Sequence, residues 1–158
     1  MPVTIRKAEQ RDLKSLGTLG TMLMAVHYAF DPQRFLQPQP GTESGYASFL
    51  GHMTEQEDTC VYVAELDGEV AGYVFAALEP LSWKELRGPA GFIHDIAVDQ
   101  RHRRTGIATQ LMDVAIRWLR AHGAPRVILG TAAKNNIARD LFHRLGFRDT
   151  MIEMTMEL

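Results

Sequence analysis

The chain has 158 residues, 46% apolar and 23% charged, with a formal net charge of −2. Those are the proportions of one globular domain able to bury a core, and they exclude a disordered or collagen-like chain. No apolar run reaches the ~18 residues of a membrane span, the first residues hold no apolar signal core, and a single cysteine, Cys60, excludes an internal disulfide; the expectation is a cytoplasmic protein with Cys60 as a packed strand thiol.

In chain order, Val3 to Lys7 reads as a short strand and Asp12 to about Ala29 as a helix with Leu13, Leu16, Leu19 and Leu23 on one face. Gly17 and Gly20 weaken that helix. Residues 31–41 carry three prolines and form a loop. Thr42 to Thr54 is a second helix, with Thr42 as its N-cap and Tyr46, Phe49, Leu50 and Met53 apolar. Thr59 to Leu66 and Glu69 to Glu79 are strands joined by Asp67-Gly68, a hairpin signal because both turn positions favour positive φ. Residues 80–89 form a loop and Ala90 to Val98 a further strand. From Gly106, Ile107, Leu111, Ala115 and Leu119 recur every fourth residue and make one face of a long helix, ended by Gly123. Arg126 to Ala132 is a strand, Asn135 to Leu145 a short helix, and Phe147 to Leu158 a final strand with Ile152, Met154 and Met156 on one face. The order β-α-α-β-β-β-α-β-α-β implies a mixed sheet, one domain over 1–158, and helices on both faces.

The junction at 98–108 carries the chemistry. A strand feeds a helix through a turn holding Arg101, Arg103 and Arg104 and ending on Gly106. The first N–H groups of a helix have no intrahelical acceptor, and the helix dipole adds partial positive charge there. Gly106 lets an oxygen-rich ligand approach the backbone. The product is an anion cradle suited to phosphate. Residues 100–148 hold ten Lys or Arg against two acids. A basic half can serve nucleic acid, but here the arginines cluster at one turn and no aromatics alternate with them, so a polyphosphate cofactor is expected and no nucleic-acid partner. The histidines show no metal-ligand spacing, and no metal is expected.

Arg103-x-x-Gly106-x-Ala108, preceded by the strand ending Asp95-Ile96-Ala97-Val98 and followed by a full helix, resembles the pyrophosphate loop of the GNAT superfamily of acetyl-CoA-dependent N-acetyltransferases. Asn135-x-x-Ala138 and Phe142-x-x-x-Gly146-Phe147 extend the likeness downstream. The resemblance implies a mostly antiparallel α/β (α+β) sheet of six to seven strands. It implies acetyl-CoA as acyl donor: Arg101, Arg103, Arg104, Thr105, Gly106, Ile107, Ala108 and Thr109 would hold the pyrophosphate, Ile96 and Val98 the pantetheine arm, and the Ile96 or Ala97 N–H the thioester carbonyl. Asn135, Ala138 and Phe142 would line the far side, although Asn135 also reads as a plain helix N-cap.

The implied reaction is direct attack of a primary amine on the thioester. An alkyl ammonium, pKa about 10, must lose a proton first, and an imidazole of reference pKa about 6.5 suits that task. His94-Asp95-x-x-Val98 resembles the Glu-Asp-x-x-Val of polyamine acetyltransferases, which makes His94 the candidate base. Asp95 points to the opposite face of a regular strand unless a bulge intervenes, and could orient His94 or bind a cation. Where the family places a proton-donating Tyr, this chain has Phe142, which leaves open a second reading as a catalytically weak acetyl-CoA-binding sensor module. Loops 27–41 and 80–89 and the second helix would form the amine pocket, with Tyr28, Phe30, Glu43, Tyr46, Glu79 and Trp83 as candidates. The Met-rich last strand could pack against a second subunit in a homodimer.

Overall fold

The computed structural model describes residues 2–158. Five strands form one sheet in sequential order: β1 (Thr4–Lys7), β2 (Thr59–Leu66), β3 (Glu69–Glu79), β4 (Ala90–Val98) and β5 (Val127–Leu129). The first four pair antiparallel and β5 joins β4 in parallel. Helices α1 (Leu13–Phe30), α2 (Thr42–Thr54), α3 (Ile107–Ala121) and α4 (Asn136–Arg144) complete the fold. No helix among the described residues is long and apolar enough to cross a membrane.

Alternation along the strands divides the interior in two. Val61, Val63, Tyr73, Phe75, Ala77 and Ala97 face α1 and α2, through Leu16, Leu19 and Leu50. Cys60, Ala64, Val74, Ala76 and Ile93 face the opposite way, onto Ile107, Leu111, Met112, Ala115 and Leu119 of α3 and Phe142 of α4. The four-residue recurrence from Ile107 to Leu119 is thus the buried stripe of α3, each member at most 1% exposed. Burial pushes the Cys60 thiol up to about 12, an inert core position.

Asp67 and Gly68 adopt φ of 52° and 80°, as the hairpin signal requires. The two glycines of α1 are contact points, not breaks. A Cβ on Gly17 would lie 2.5 Å from the Glu43 carbonyl oxygen, and one on Gly20 2.3 Å from the Tyr46 ring. They let α2 cross α1 closely. The α2 N-cap is Gly41, at φ 90°, and not Thr42; the Thr42 hydroxyl instead accepts from the Gln39 N–H at 2.8 Å.

The expected last strand does not form. Residues 148–158 are exposed throughout and pair with no strand, so the sheet has five strands and not six to seven, and the terminal β of the expected order is missing. β5 is also shorter than the expected 126–132 span, at Val127–Leu129. Propensity placed a strand in each region, but a strand exists only where an edge is available to pair with it.

Asp12 is the buried charge of the described residues, 3% exposed. Arg6 donates to both its oxygens, at 2.7 and 3.0 Å, and the Glu9 N–H adds a bond at 2.7 Å. Burial alone would raise the Asp12 pKa; the bonds from Arg6 and the Glu9 amide outweigh it and hold the carboxyl below its ordinary value. The unfolded chain therefore takes up this proton first as pH falls, so the contribution is present above the unfolded pKa and is lost through the acid range. Asp12→Ala is expected to cost about 1–3 kcal/mol, because it removes two charge-assisted bonds from Arg6, which keeps Glu65 as its remaining carboxylate. Urea unfolding at pH 7 and across the range from about 5 downward should show a large loss at neutral pH and a flattened acid limb.

Candidate active site

β4 is irregular at one residue. Phe75 pairs with Asp95, whereas the next β3 residue, Ala76, pairs with Ile93, so His94 is an extra residue in a β-bulge. His94 and Asp95, adjacent in sequence, consequently both line one open cavity of about 590 Å³. The wall also includes Tyr46, Phe49, Phe75, Glu79 and Asp58.

His94 is held on three sides. Its ring stacks on Phe92 at 5.4 Å between centroids and tilts against Phe75 at 5.1 Å. Its Nε2 lies 2.9 Å from Glu79 Oε1. An ionised carboxylate only accepts, so this contact assigns the proton to Nε2 and leaves the Nδ1 lone pair as the basic atom. Asp95 is held as firmly. Tyr46 and Tyr73 both donate to its Oδ2, at 2.6 and 2.9 Å. Burial, and then the Asp95 charge, raise the pKa of both phenols, so they remain O–H donors at neutral pH.

The open edge of β4 begins where the bulge ends its partnership. β5 pairs only with Gly91, Phe92 and Ile93, leaving residues 94–98 without a neighbour on that side. The Asp99 N–H donates to Ala71 of β3 at 2.8 Å. Backbone polar groups alternate sides along a strand, so those of Ala97 also turn into β3 while those of Ile96 and Val98 face the open edge. The expectation that Ala97 offers its N–H to a ligand is corrected by this alternation.

The edge leads to the turn before α3. Gly106 sits at φ 83° and is the α3 N-cap, with no side-chain cap. Its added Cβ would meet nothing within 4 Å. Arg104 shares the left-handed region at φ 63°. The first amide of the helix to find a backbone carbonyl is Gln110, bonded to Gly106 at 3.1 Å. Those of Arg104, Thr105, Gly106, Ile107, Ala108 and Thr109 have no backbone acceptor among the described residues. Arg103 and Arg104 have no carboxylate partner among the described residues. Arg101 instead pairs with Asp99 at 2.9 Å. The Ile107 side chain is 1% exposed and belongs to the core, so only its amide is available. A run of free amides flanked by two unpaired guanidinium groups fits a pyrophosphate.

Other expected residues lie elsewhere. Asn135 caps α4, accepting from the Ala138 N–H at 3.2 Å, which occupies both. Phe142 is 5% exposed and packs on Phe147, inside the core. Of the six expected substrate residues, Tyr46 and Glu79 line the cavity. Tyr28 and Phe30 stand at the end of α1 outside that lining, Glu43 accepts from Thr18 at 2.6 Å, and Trp83 projects from its loop 85% exposed. Phe75, Phe49 and Asp58 were not expected at the site, and the signal for Phe75 was its place on β3 opposite the bulge; Tyr73, one of the tyrosines that could stand in for the missing proton donor, meets the site through its bond to Asp95. No three His, Cys, Asp or Glu among the described residues group as metal ligands.

A five-stranded mixed sheet whose bulged strand borders both an amide cradle and an acidic pocket is an acyltransferase-type architecture. Residues 20–147 match the acetyltransferase (GNAT) family, and the chain belongs to that family. It is 31% identical over 112 residues to an N-alpha-acetyltransferase of Sulfurisphaera tokodaii, covering 68% of this chain and 66% of that protein. It is 30% identical over 123 residues to N-acetyltransferase 8 of Homo sapiens, covering 73% of this chain and 53% of that one. The match therefore spans about half to two thirds of the length of these relatives. In fold it is similar to a mutant BH1408 protein from Bacillus halodurans, with TM-score 0.85 at 23% identity over 98% of this chain and 99% of the other. It is also similar to aminoglycoside N-acetyltransferase AAC(6')-Iy in complex with CoA, with TM-score 0.79 at 20% identity over 99% and 95% of the two chains.

Gly20 and Gly45 test the geometry. Gly20→Ala would force the Tyr46 ring, and with it the bond to Asp95, out of place; a loss of about 1–3 kcal/mol is expected from overpacking. Gly45→Ala in α2 meets nothing within 4 Å and should stabilise by about 0.5–1 kcal/mol through helix propensity. Urea midpoints of the two variants should move in opposite directions.

Proposed function

We propose that this chain transfers an acetyl group from acetyl-CoA to a cationic primary amine. The observation that carries the reading is continuity: unpaired amides at 104–109 lead directly to the free edge at Ile96 and Val98, and that edge borders the cavity of His94 and Asp95. The amides of 104–109, with Arg103 and Arg104, hold the pyrophosphate. The open-edge groups of Ile96 and Val98 bind the amide-bearing arm. Bound there, acetyl-CoA supplies an electrophilic thioester carbonyl beside the bulge, and the Ile96 N–H polarises it.

The remaining steps belong to the pocket. Asp95, Glu79 and Asp58 attract an alkyl ammonium, and Tyr46, Phe49 and Phe75 offer aromatic faces to it. His94 Nδ1 accepts the ammonium proton, and Glu79 stabilises the imidazolium that forms. The free amine then attacks the carbonyl carbon, the C–S bond breaks, and the second nitrogen proton passes to the departing thiolate or to water. The two phenols nearest the pocket, Tyr46 and Tyr73, donate to Asp95 and not to the departing sulfur; a thiol of pKa about 8.5 leaves as its anion. The Phe at 142, where the family's proton donor is expected, favours a second reading as an acetyl-CoA-binding sensor without turnover. A thiol-release assay over a panel of primary amines separates them: binding with no turnover on any amine supports the sensor.

His94→Ala is expected to lower kcat/KM about 100-fold near pH 7, the lower range for general-base catalysis. The loss should shrink as pH approaches about 10, where free amine exists without a base. A loss independent of pH would assign His94 to structure. Gly106→Val should weaken acetyl-CoA binding at least tenfold by calorimetry, about the 1.5–3 kcal/mol of a charge-assisted bond, with cooperative unfolding retained.

A further inference from the structure

Asp95 differs from the other carboxylates of the pocket in how it is held. Glu79 has His94 as its partner, and Asp58 is exposed to water. Asp95 is half-buried, yet no Lys, Arg or His among the described residues pairs with it. The cavity lining contains no Lys or Arg. In place of a cation Asp95 has two phenols, and both donate to the same oxygen. Tyr46 of α2 reaches Oδ2 at 2.6 Å and Tyr73 of β3 reaches it at 2.9 Å. No donor of the described residues reaches Oδ1, and no side-chain polar atom among them is both buried and unpartnered. Oδ1 is therefore accessible, and Asp95 lines the cavity.

Two donors on one oxygen do more than satisfy it. A carboxylate bonded once can turn about its last side-chain bond, whereas donors from two different elements fix its plane. The arrangement places the Tyr73 hydroxyl in the core, on a residue 0% exposed, where it needs a partner. A partly desolvated carboxylate with only neutral donors is short of positive charge. A cation at Oδ1 makes the charge-assisted pair that the chain itself does not provide. We infer that Asp95 Oδ1 anchors the ammonium of the acceptor, and that Tyr46 and Tyr73 are positioning residues that hold this oxygen toward the cavity. The inference rests on the reading of the cavity as the acceptor site. It divides the two bulge residues by role: Asp95 holds the nitrogen through one N–H, and His94 Nδ1 takes the proton of another. It also narrows the acceptor. An alkylamine arrives as a cation at neutral pH, while an alcohol or an arylamine arrives neutral and gains no such pair.

Steady-state kinetics of isosteric variants test this, with urea midpoints checking that each folds. Tyr73→Phe is expected to raise KM for the best alkylamine of the panel about tenfold, with kcat and the acetyl-CoA KM within about twofold. Tyr46→Phe, on a different element, should do the same. Asp95→Asn should raise the amine KM about a hundredfold, within the range for truncating one member of a desolvated charge pair. The combination is decisive. On the Asp95→Asn background Tyr73→Phe should add almost nothing, because a positioning residue acts only through the group it positions. Binding is read separately, without acetyl-CoA, from amide chemical shifts titrated with butylammonium chloride and with 1-butanol. The ammonium should bind at least about tenfold more tightly than the alcohol, and Asp95→Asn should abolish the difference. Turnover of no amine, with that preference intact, removes acetyl transfer and leaves the anchor in place. Equal binding of the two probes overturns the anchor, whatever the turnover. So does a Tyr73→Phe effect that is undiminished on the Asp95→Asn background, or one that raises the acetyl-CoA KM equally, since either assigns the phenols to packing.

Discussion

Pairing along β4 changes at a single point. On the β3 side a residue is skipped at His94, and on the β5 side pairing stops at Ile93. One inserted residue accounts for both. A bulge bends its strand and increases the local twist, which carries β4 away from a parallel neighbour that had been following it. It also reverses which backbone groups point outward, so Ile96 and Val98 turn to the gap just as the gap opens. A regular β4 would keep β5 alongside for longer and would send His94 and Asp95 to opposite faces of the sheet.

The bulge alone does not fix the two side chains it gathers; the elements around it do. His94 is confined by aromatic rings from β3 and from its own strand, and by Glu79 at the end of β3. Asp95 is fixed by one phenol from β3 and one from α2. The α2 phenol reaches it only because α1 has a glycine beneath the Tyr46 ring. The absence of a side chain on α1, where sequence reasoning saw a weak helix, is thus connected through one ring to the carboxylate of the pocket.

Much of this was legible in the residues, and the parts that were not share a cause. The α3 stripe, the Asp67-Gly68 turn and the basic turn ending on Gly106 are local patterns, and local patterns are what a single sequence states. The pocket is not local: Phe75 reaches its wall, and Tyr73 reaches the Asp95 carboxylate, through strand register, and register across a bulge cannot be counted from either strand alone. Trp83 and Tyr28 have chemistry that suits an amine pocket but lie outside the lining of the cavity. Phe142 and Asn135 match a family motif yet meet core packing and a helix cap in this fold, which shows that a motif position does not by itself assign a contact. The final strand failed for a different reason. Its alternation is real, but alternation says which face is apolar and not which edge receives the strand.

The two ends of the site have opposite charge, and that separation follows from topology. The cradle lies where β4 passes into α3, so the helix dipole and the arginines of the turn act together at one end of the open edge. The acidic pocket lies on the face covered by α1 and α2, where Glu79, Asp58 and Asp95 converge from β3, the turn before β2, and β4. A positive turn and an acidic pocket thereby lie on different sides of the same strand. The bulge at His94 joins the two sides: its backbone consequence is the open edge at Ile96 and Val98, and its side-chain consequence is the meeting of His94 and Asp95 in the cavity.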